Sequence, residues 1–181
     1  MLPFPTLTTE RLTLRPLRLT DAPQVFANFS FDSVTEFYDL ATFTELQQAQ
    51  RLVETWITRS NAGEGLRWAI TLIGHDQLIG TCGFHNLSTE NNRAEIGYEL
   101  HPDFWRKGLM SEAVGAMLKH GFNSLNLNRI EAFIDPINHA SHQLLLRCGF
   151  TSEGVLRDYF FEKGRFVDAQ MMSILQREFI A

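Results

Sequence analysis

One stretch of the sequence joins a strand pattern, a turn and an amphipathic helix, and it limits the choice of fold more than any other. Apolar and polar residues alternate over residues 94–100, and a His-Pro pair then breaks the pattern. Apolar residues recur at helical spacing over residues 109–122, and a second strand pattern covers residues 130–134. Two strands of one sheet joined by a crossover helix run parallel, with a right-handed connection. We therefore expect a sheet with helices packed against it.

The rest of the chain extends this sheet. A short helix is expected after Thr20, a longer one from Thr44 with a capping box to Gln47, and another after the N-cap Asn138. Further strand patterns lie at residues 12–17, 66–72, 78–84, 154–161 and 167–175. No repeat and no Pro/Gly/Ser-rich linker divides the sequence. We expect one domain over residues 1–181, of the α/β (α+β) class, with a mixed sheet covered by helices.

The composition limits the possible partners. The 181 residues are 44% hydrophobic, which excludes a disordered chain, and the net charge of −5 argues against a nucleic-acid partner but suits a cationic one. Neither the two cysteines nor the histidines form a cluster with ligand spacing, so no metal site is predicted. The sequence carries no signal-peptide pattern and no apolar run of membrane length, which favours a cytoplasmic protein without a membrane partner. Both a monomer and a homodimer remain open.

The turn before the helix at residue 109 is a candidate anion site. The first backbone N–H groups of a helix have no intrahelical acceptor, and the helix dipole favours negative charge. Gly108 allows close approach to the main chain, and Arg106 and Lys107 add positive charge. The turn contains one glycine, so it fits neither the dinucleotide fingerprint nor the P-loop. A phosphate-bearing ligand of another kind and an ordinary helix start are both compatible with it.

The order and spacing of several short motifs resemble one enzyme family. These motifs are Glu95-Ile-Gly-Tyr-Glu-Leu100, Trp105-Arg-Lys-Gly-Leu-Met-Ser-Glu-Ala113, Asn138-His-Ala-Ser141 and Arg147-Cys-Gly-Phe150. Together they resemble the GCN5-related N-acetyltransferases, specifically the ribosomal-protein-alanine acetyltransferase branch, over almost the whole chain. The resemblance implies the GNAT fold, which is a mixed, mostly antiparallel sheet with a splayed parallel strand pair. It also implies acetyl-CoA as co-substrate.

The resemblance assigns the cofactor contacts residue by residue. The family's pyrophosphate loop falls on residues 105–110, where Gly108 matches and Trp105 and Met110 depart from the usual residue types. Backbone amides of six consecutive residues are then expected to bind the coenzyme A pyrophosphate, namely Arg106, Lys107, Gly108, Leu109, Met110 and Ser111. The preceding strand is expected to pair with pantetheine and the thioester through Tyr98, Leu100 and His101. Asn138 resembles the family's pantetheine-binding asparagine, and Ser141 would lie beside the thioester.

Acetyl transfer to an amine requires a free amine and a proton for the departing thiolate. An α-amine with a pKa of about 8 is far easier to deprotonate at neutral pH than a lysine amine near 10.4, so a carboxylate acting through water is sufficient for it. Glu95 is the first candidate for this base, with Glu99 and His101 as reserves. Ser141 and Tyr159 are the alternatives for the acid.

The acceptor side is less specified by the sequence. Phe37 and Tyr38 fall in the segment that forms the acceptor wall in the resembled family, and Glu99 is a further candidate for acceptor binding. The preferred expectation is an acetyl-CoA-dependent N-acetyltransferase that acts on the N-terminal amine of a protein or peptide, such as a ribosomal protein. The alternatives are an acetyltransferase of a small amine (a polyamine, amino acid or aminoglycoside) and a non-catalytic acyl-CoA-binding module.

Overall fold

The chain alternates between strands and helices as its hydrophobic periods suggest. The computed structural model describes residues 4–180. Its helices are α1 (Ala22–Phe29), α2 (Asp32–Thr35), α3 (Leu46–Ala62), α4 (Leu109–Asn123) and α5 (His139–Arg147). Its strands are β1 (Leu7–Thr8), β2 (Leu12–Pro16), β3 (Leu66–Leu72), β4 (Leu78–Ser88), β5 (Arg93–Leu100), β6 (Arg129–Ile134), β7 (Thr151–Glu162) and β8 (Arg165–Leu175). No helix among these residues is long and apolar enough to cross a membrane.

The strands form a single mixed sheet in the order β1-β2-β3-β4-β5-β6-β8-β7. Neighbouring strands are antiparallel except β5 and β6, which are parallel as the strand–helix–strand pattern predicts. The parallel pairing is short: it joins Arg93 to Arg129, Ala94 to Ile130 and Glu95 to Glu131, and β5 then continues to Leu100 without β6 as a partner. The sheet therefore opens between these two strands beyond Glu95.

Two hydrophobic clusters pack on the two faces of the sheet. Alternate residues of β5 point to opposite faces, and Ile96 and Leu100 pack with the apolar stripe of α4. The opposite face, which carries Glu95, Gly97 and Glu99, is covered by α1 and α3, whose buried residues pack on β3 and β4. The opening between β5 and β6 therefore connects the face covered by α4 with the face covered by α1 and α3.

The helix starts differ in detail from the sequence pattern. Helix α3 begins at Leu46 instead of Thr44, because the capping box is formed by Glu45 and Gln48, and Gln48 Oε1 accepts from the Glu45 amide at 2.9 Å. Thr20 is not an N-cap, since it lies in a 3₁₀ turn that precedes α1 and Asp21 occupies the cap position. The short elements β1 and α2 are absent from the sequence prediction, because two and four residues are too few to show a period.

A buried carboxylate holds the paired ends of β5 and β6 together. Arg93 and Arg129 lie opposite each other in the parallel register, where two like charges repel. Glu131, whose side chain is 3% exposed, accepts hydrogen bonds from both guanidinium groups. This bridge fixes the point from which the two strands diverge.

Replacing Glu131 with alanine should lower the free energy of unfolding by about 2 to 3 kcal/mol, because both arginines lose their shared partner. Urea unfolding measures the change. Glu153→Gln is the matched control, since Glu153 also pairs with Arg129 but its side chain is 37% exposed, and it should cost less than about 1 kcal/mol. Equal losses in the two variants would contradict a special role for the buried bridge.

Candidate active site

A cavity of about 1370 Å³ lies at the opening of the sheet. Residues from both faces line it: Tyr98 and Ser141 come from the α4 and α5 side, and Glu95, Glu99 and Arg67 come from the α1 and α3 side. The cavity therefore gives two ligands access to one point from opposite faces of the sheet.

The turn before α4 has the conformation that an anion site requires. Arg106 and Gly108 both adopt left-handed backbone angles, with φ of 58° and 75°. The amides of residues 106–111 have no hydrogen-bond acceptor within residues 4–180, and the first amide of this segment with one is that of Glu112, which donates to the Gly108 carbonyl at 3.1 Å. Four or more free amides at a helix N-terminus suit a pyrophosphate.

Not every residue of the predicted loop reaches the cavity. Arg106, Gly108, Leu109, Met110 and Ser111 line it, and the Met110 side chain is buried in the core, so it leaves the amides accessible. Lys107 is not part of the lining. Its carbonyl accepts from Arg11 Nη1 at 2.9 Å, and Arg11 also pairs with Glu112 of α4. Arg11 thus anchors the loop to the chain's N-terminal region.

The departure of Trp105 from the family pattern has a local explanation. Its indole Nε1 donates to the Leu100 carbonyl at 2.6 Å, which ties the loop back to the end of β5. The His101 amide donates to Ile79 of β4 at 2.8 Å, so the backbone groups of Tyr98 and Leu100 point to the open side. Because Trp105 already donates to the Leu100 carbonyl, the free groups on this edge are the amide and carbonyl of Tyr98 and the amide of Leu100.

His101 lies apart from the cavity lining. Its Nδ1 accepts from the Asp103 amide at 3.2 Å, and its ring packs edge-on against Phe31. These contacts show that the His101 side chain caps the following 3₁₀ turn. They leave His101 poorly placed to act as the general base, for which it is a reserve candidate.

Helix α5 brings two polar groups to the α4 side of the opening. Asn138 caps the helix, since its Oδ1 accepts from the Ser141 amide at 3.0 Å. The Ser141 hydroxyl lies 3.0 Å from the Tyr98 hydroxyl. Burial raises the pKa of Tyr98 well above its usual value, so its phenol stays protonated and can donate to Ser141. Tyr159, by contrast, is not among the cavity-lining residues and stacks on Phe133.

Glu95 lies on the opposite side of the opening with a histidine beside it. His85 of β4 is its register partner, and His85 Nε2 is 3.4 Å from Glu95 Oε2. Burial alone would raise the pKa of Glu95, but hydrogen bonds from His85 and Asn86 outweigh it and the pKa lies below its usual value. Glu95 is therefore ionised at neutral pH and can accept a proton. Sequence reasoning gave His85 no role at this site, because an irregularity between His85 and Ser88 shifts the β4–β5 register by one residue and hides the pairing with Glu95.

Glu99 is held in a buried network and is not free. Its carboxylate accepts from Arg67 Nη2, from the Tyr38 hydroxyl at 2.9 Å and from the Thr81 hydroxyl. Its side chain is 3% exposed. These contacts favour Glu95 over Glu99 as the base. Phe37 and Tyr38 both line the cavity on this side, and Tyr38 also packs edge-on against Phe29.

The part of the chain that the structure describes holds no group of three or more His, Cys, Asp or Glu side chains placed to bind a metal ion. The polar groups around the cavity include free amides, the Tyr98 and Ser141 hydroxyls and the Glu95–His85 pair. This set fits a substrate that carries phosphates at one end and an acyl group at the other.

Comparisons with known sequences agree with this geometry. The family model for the acetyltransferase (GNAT) domain matches residues 11–151. The chain is 45% identical over 174 residues to the uncharacterized N-acetyltransferase p20 of Bacillus licheniformis and 42% identical over 173 residues to the N-acetyltransferase YoaA of Bacillus subtilis. Each match covers 96% of this chain and 98% of the relative. The spermidine N(1)-acetyltransferase of Escherichia coli is 31% identical over 91 residues, which is 50% of this chain and 49% of that enzyme.

Solved structures give the same result for the fold. A GNAT-family acetyltransferase from Bacillus anthracis superposes with a TM-score of 0.86 at 27% identity, covering 96% of this chain and 100% of that one. The ribosomal L7/L12 α-N-protein acetyltransferase RimL, solved with coenzyme A, superposes with a TM-score of 0.85 over 94% of this chain and 98% of that one. At 20% identity, the second likeness shows the shared fold alone.

Proposed function

This chain belongs to the GNAT acetyltransferase family and is an acyltransferase, and we propose that it transfers the acetyl group of acetyl-CoA to the N-terminal α-amine of a protein or peptide. The observation that carries the proposal is the cavity through the opened sheet, with free amides on one side and the Glu95–His85 pair on the other. RimL, which has the same fold, acts on such an amine by its name.

The cofactor contacts follow from the free groups at the cavity. The amides of residues 106–111 hold the pyrophosphate, with Arg106 adding charge, and the Tyr98 backbone pairs with the pantetheine end. The bound co-substrate supplies an activated acetyl group. Asn138 and Ser141, on the first turn of α5, lie beside this path.

The chain's own residues then handle two protons. Glu95, held by His85, accepts a proton from the acceptor amine through water, so the amine nitrogen can form its bond to the acetyl carbon. The Tyr98 amide stabilises the negative charge that develops on the carbonyl oxygen. Ser141, whose hydroxyl lies 3.0 Å from the Tyr98 hydroxyl, gives its proton to the departing sulfur as the carbon–sulfur bond breaks, and a water molecule returns a proton to Ser141.

Ser141→Ala should lower kcat by about tenfold to a hundredfold and change the KM for acetyl-CoA by less than about threefold, because the hydroxyl acts on the leaving thiolate. Steady-state kinetics with a thiol reagent measures both constants. Tyr159→Phe is the control and should leave kcat unchanged, since Tyr159 is not among the cavity-lining residues and the change keeps its ring on Phe133. An unchanged kcat in Ser141→Ala would remove this residue from the proton path.

A polyamine acetyltransferase is the second candidate. The likeness to the spermidine enzyme favours it, and so do the carboxylates Glu36, Asp39 and Glu162 that line the acceptor side of the cavity. Both candidate functions place a cationic acceptor on the side of the cavity that these carboxylates line. They differ in the chemical class of the amine.

An acceptor panel tests the proposal. Thiol release from acetyl-CoA is measured with a free-amine peptide, the same peptide blocked at its N-terminus, spermidine, alanine and an aminoglycoside. We expect release with the free peptide and little with the blocked one. Faster release with spermidine than with any peptide would favour the second candidate. Tight binding of acetyl-CoA with no release on any acceptor would indicate a non-catalytic module.

A further inference from the structure

Arg67 crosses the acceptor side of the sheet in a groove made by two glycines. Its register partner on β4 is Gly83, whose partner on β5 is Gly97. A Cβ atom on Gly83 would lie 2.9 Å from Arg67 Cδ, and a Cβ on Gly97 would lie 3.1 Å from Arg67 Nη1. Side chains at these two positions would displace the arginine. The two glycines therefore keep open the path that brings the guanidinium to the cavity wall.

The three nitrogen atoms of the Arg67 guanidinium differ in their hydrogen-bond partners. Nε donates to the Thr81 hydroxyl at 2.7 Å, and Nη2 donates to Glu99 and, at 3.3 Å, to the Tyr38 hydroxyl. Within residues 4–180, Nη1 has no hydrogen-bond acceptor. Among the described residues, the fully buried side-chain nitrogen and oxygen atoms without a partner are those of Asn28 and His120. Nη1 of Arg67 is not one of them, so it is accessible from outside the core. Nη1 is thus a fixed donor that faces the cavity.

The position of Nη1 relates it to the proposed base. A Cβ atom on Gly97 would lie 3.1 Å from Nη1 and 3.3 Å from His85 Cε1, so Nη1 and the His85 ring are close neighbours over Gly97, and His85 contacts Glu95. The donor and the base pair therefore lie side by side on the cavity wall.

The charge of Arg67 selects among acceptors. Burial would lower the pKa of Arg67, but the adjoining Glu99 carboxylate, together with smaller contributions from Tyr38 and Cys82, outweighs burial and raises the pKa, so Arg67 is an ionised guanidinium that faces a carboxylate. Such a balanced pair presents a hydrogen-bond donor with little net charge. It suits a neutral carbonyl oxygen better than a second ammonium group, and it offers a free carboxylate no uncompensated positive charge.

We propose that Arg67 is a specificity-determining residue: its Nη1 donates to a carbonyl oxygen on the carbon next to the amine-bearing carbon of the acceptor, while Glu95 receives the amine. The inference rests on the proposed function and narrows it. An N-terminal residue of a peptide and an amino-acid amide carry this carbonyl beside the amine. A lysine side chain and a polyamine do not, and a free amino acid carries a carboxylate there.

Two small acceptors test the inference on the unaltered enzyme. Alaninamide has the carbonyl, and a β-fluorinated propan-2-amine with a matched amine pKa lacks it. We expect kcat/KM to be about tenfold or more higher for alaninamide, the effect of one hydrogen bond from a charged donor, with the difference mainly in KM. Equal kcat/KM values for the two would overturn the role of Arg67 and leave the proposed function intact. If the enzyme acetylates spermidine faster than either small amine and does not acetylate any peptide, both the role of Arg67 and the proposed function are overturned.

A substitution ties this preference to the residue. Arg67→Lys keeps a positive charge for Glu99 but removes Nη1, so kcat/KM should fall more for alaninamide than for the fluorinated amine, and the preference for alaninamide should fall to less than about twofold. Arg59→Lys, at another cavity-lining arginine, is the matched control and should keep the tenfold preference. A preference that persists in Arg67→Lys would overturn the inference. If that variant does not fold, the comparison of the two acceptors on the unaltered enzyme still decides.

Discussion

Replacing Gly108 with tryptophan should weaken the binding of acetyl-CoA about a hundredfold or more. Gly108 has a φ of 75°, a left-handed conformation that strains any residue with a large side chain. A Cβ at this position would meet only Arg11 Nη2, at 3.5 Å, so the change does not disturb the core. The indole would instead cover the free amides of residues 106–111, and the altered turn would misalign them. A hundredfold loss corresponds to about 2.7 kcal/mol, or two to three hydrogen bonds.

Isothermal titration calorimetry with coenzyme A measures this loss, and thermal unfolding shows whether the fold is kept. Gly115→Ala is the matched control. Gly115 lies in α4 without a positive φ, and no atom lies within 4 Å of an added Cβ, so its affinity for coenzyme A should be unchanged. A dissociation constant for Gly108→Trp within about threefold of the original would contradict the assignment of this turn to the pyrophosphate.

Replacing Glu95 with glutamine should lower kcat about a hundredfold at pH 7, which is the usual effect of losing a general base. The deficit should depend on pH in a defined direction. An α-amine with a pKa of about 8 is mostly protonated at pH 7 and mostly free at pH 9, so the need for a base falls as the pH rises. The pKa of Glu95 lies below its usual value, so the carboxylate itself stays ionised throughout this range. The ratio of the two rates should therefore shrink to a few-fold at pH 9.

Matched variants separate this role from a general effect of charge. Glu64→Gln removes another cavity-lining carboxylate and should change kcat by less than about threefold. His85→Gln should give an intermediate loss, because Glu95 stays in place but loses the imidazole ring that orients it. Full turnover of Glu95→Gln across the whole pH range would show that the base lies elsewhere.

The sequence predicts the parts of the site that are local in the chain. A glycine at residue 108 before an apolar helical stripe indicates a helix N-terminus with free amides, and the observed turn has the positive φ at Gly108 that this needs. Asn138 is a cap in the sequence and in the structure. The mixed, mostly antiparallel sheet and its one parallel pair follow from the strand–helix–strand order and the resemblance. The cofactor and catalytic roles of these residues stay predictions.

The parts that depend on cross-strand register are harder to read from the sequence. Arg67, Glu99 and Tyr38 are far apart in the chain, and a single β-bulge changes which side chains meet. One such irregularity separates Ile70 from Thr71 in the pairing of β3 with β4. For the same reason, the sequence could not show that Glu99 is buried instead of free to act as a base. It also could not show that His101 lies outside the cavity lining.

The position of the acetyl group on a reacted peptide tests the proposed function most directly. The substrate is a peptide with a free N-terminus and one internal lysine, incubated with acetyl-CoA and the enzyme and then sequenced by fragmentation mass spectrometry. We expect one added acetyl group, on the α-amine, and no product from the same peptide with a blocked N-terminus. Acetylation of the lysine side chain, or of spermidine in preference to the peptide, would contradict the proposal.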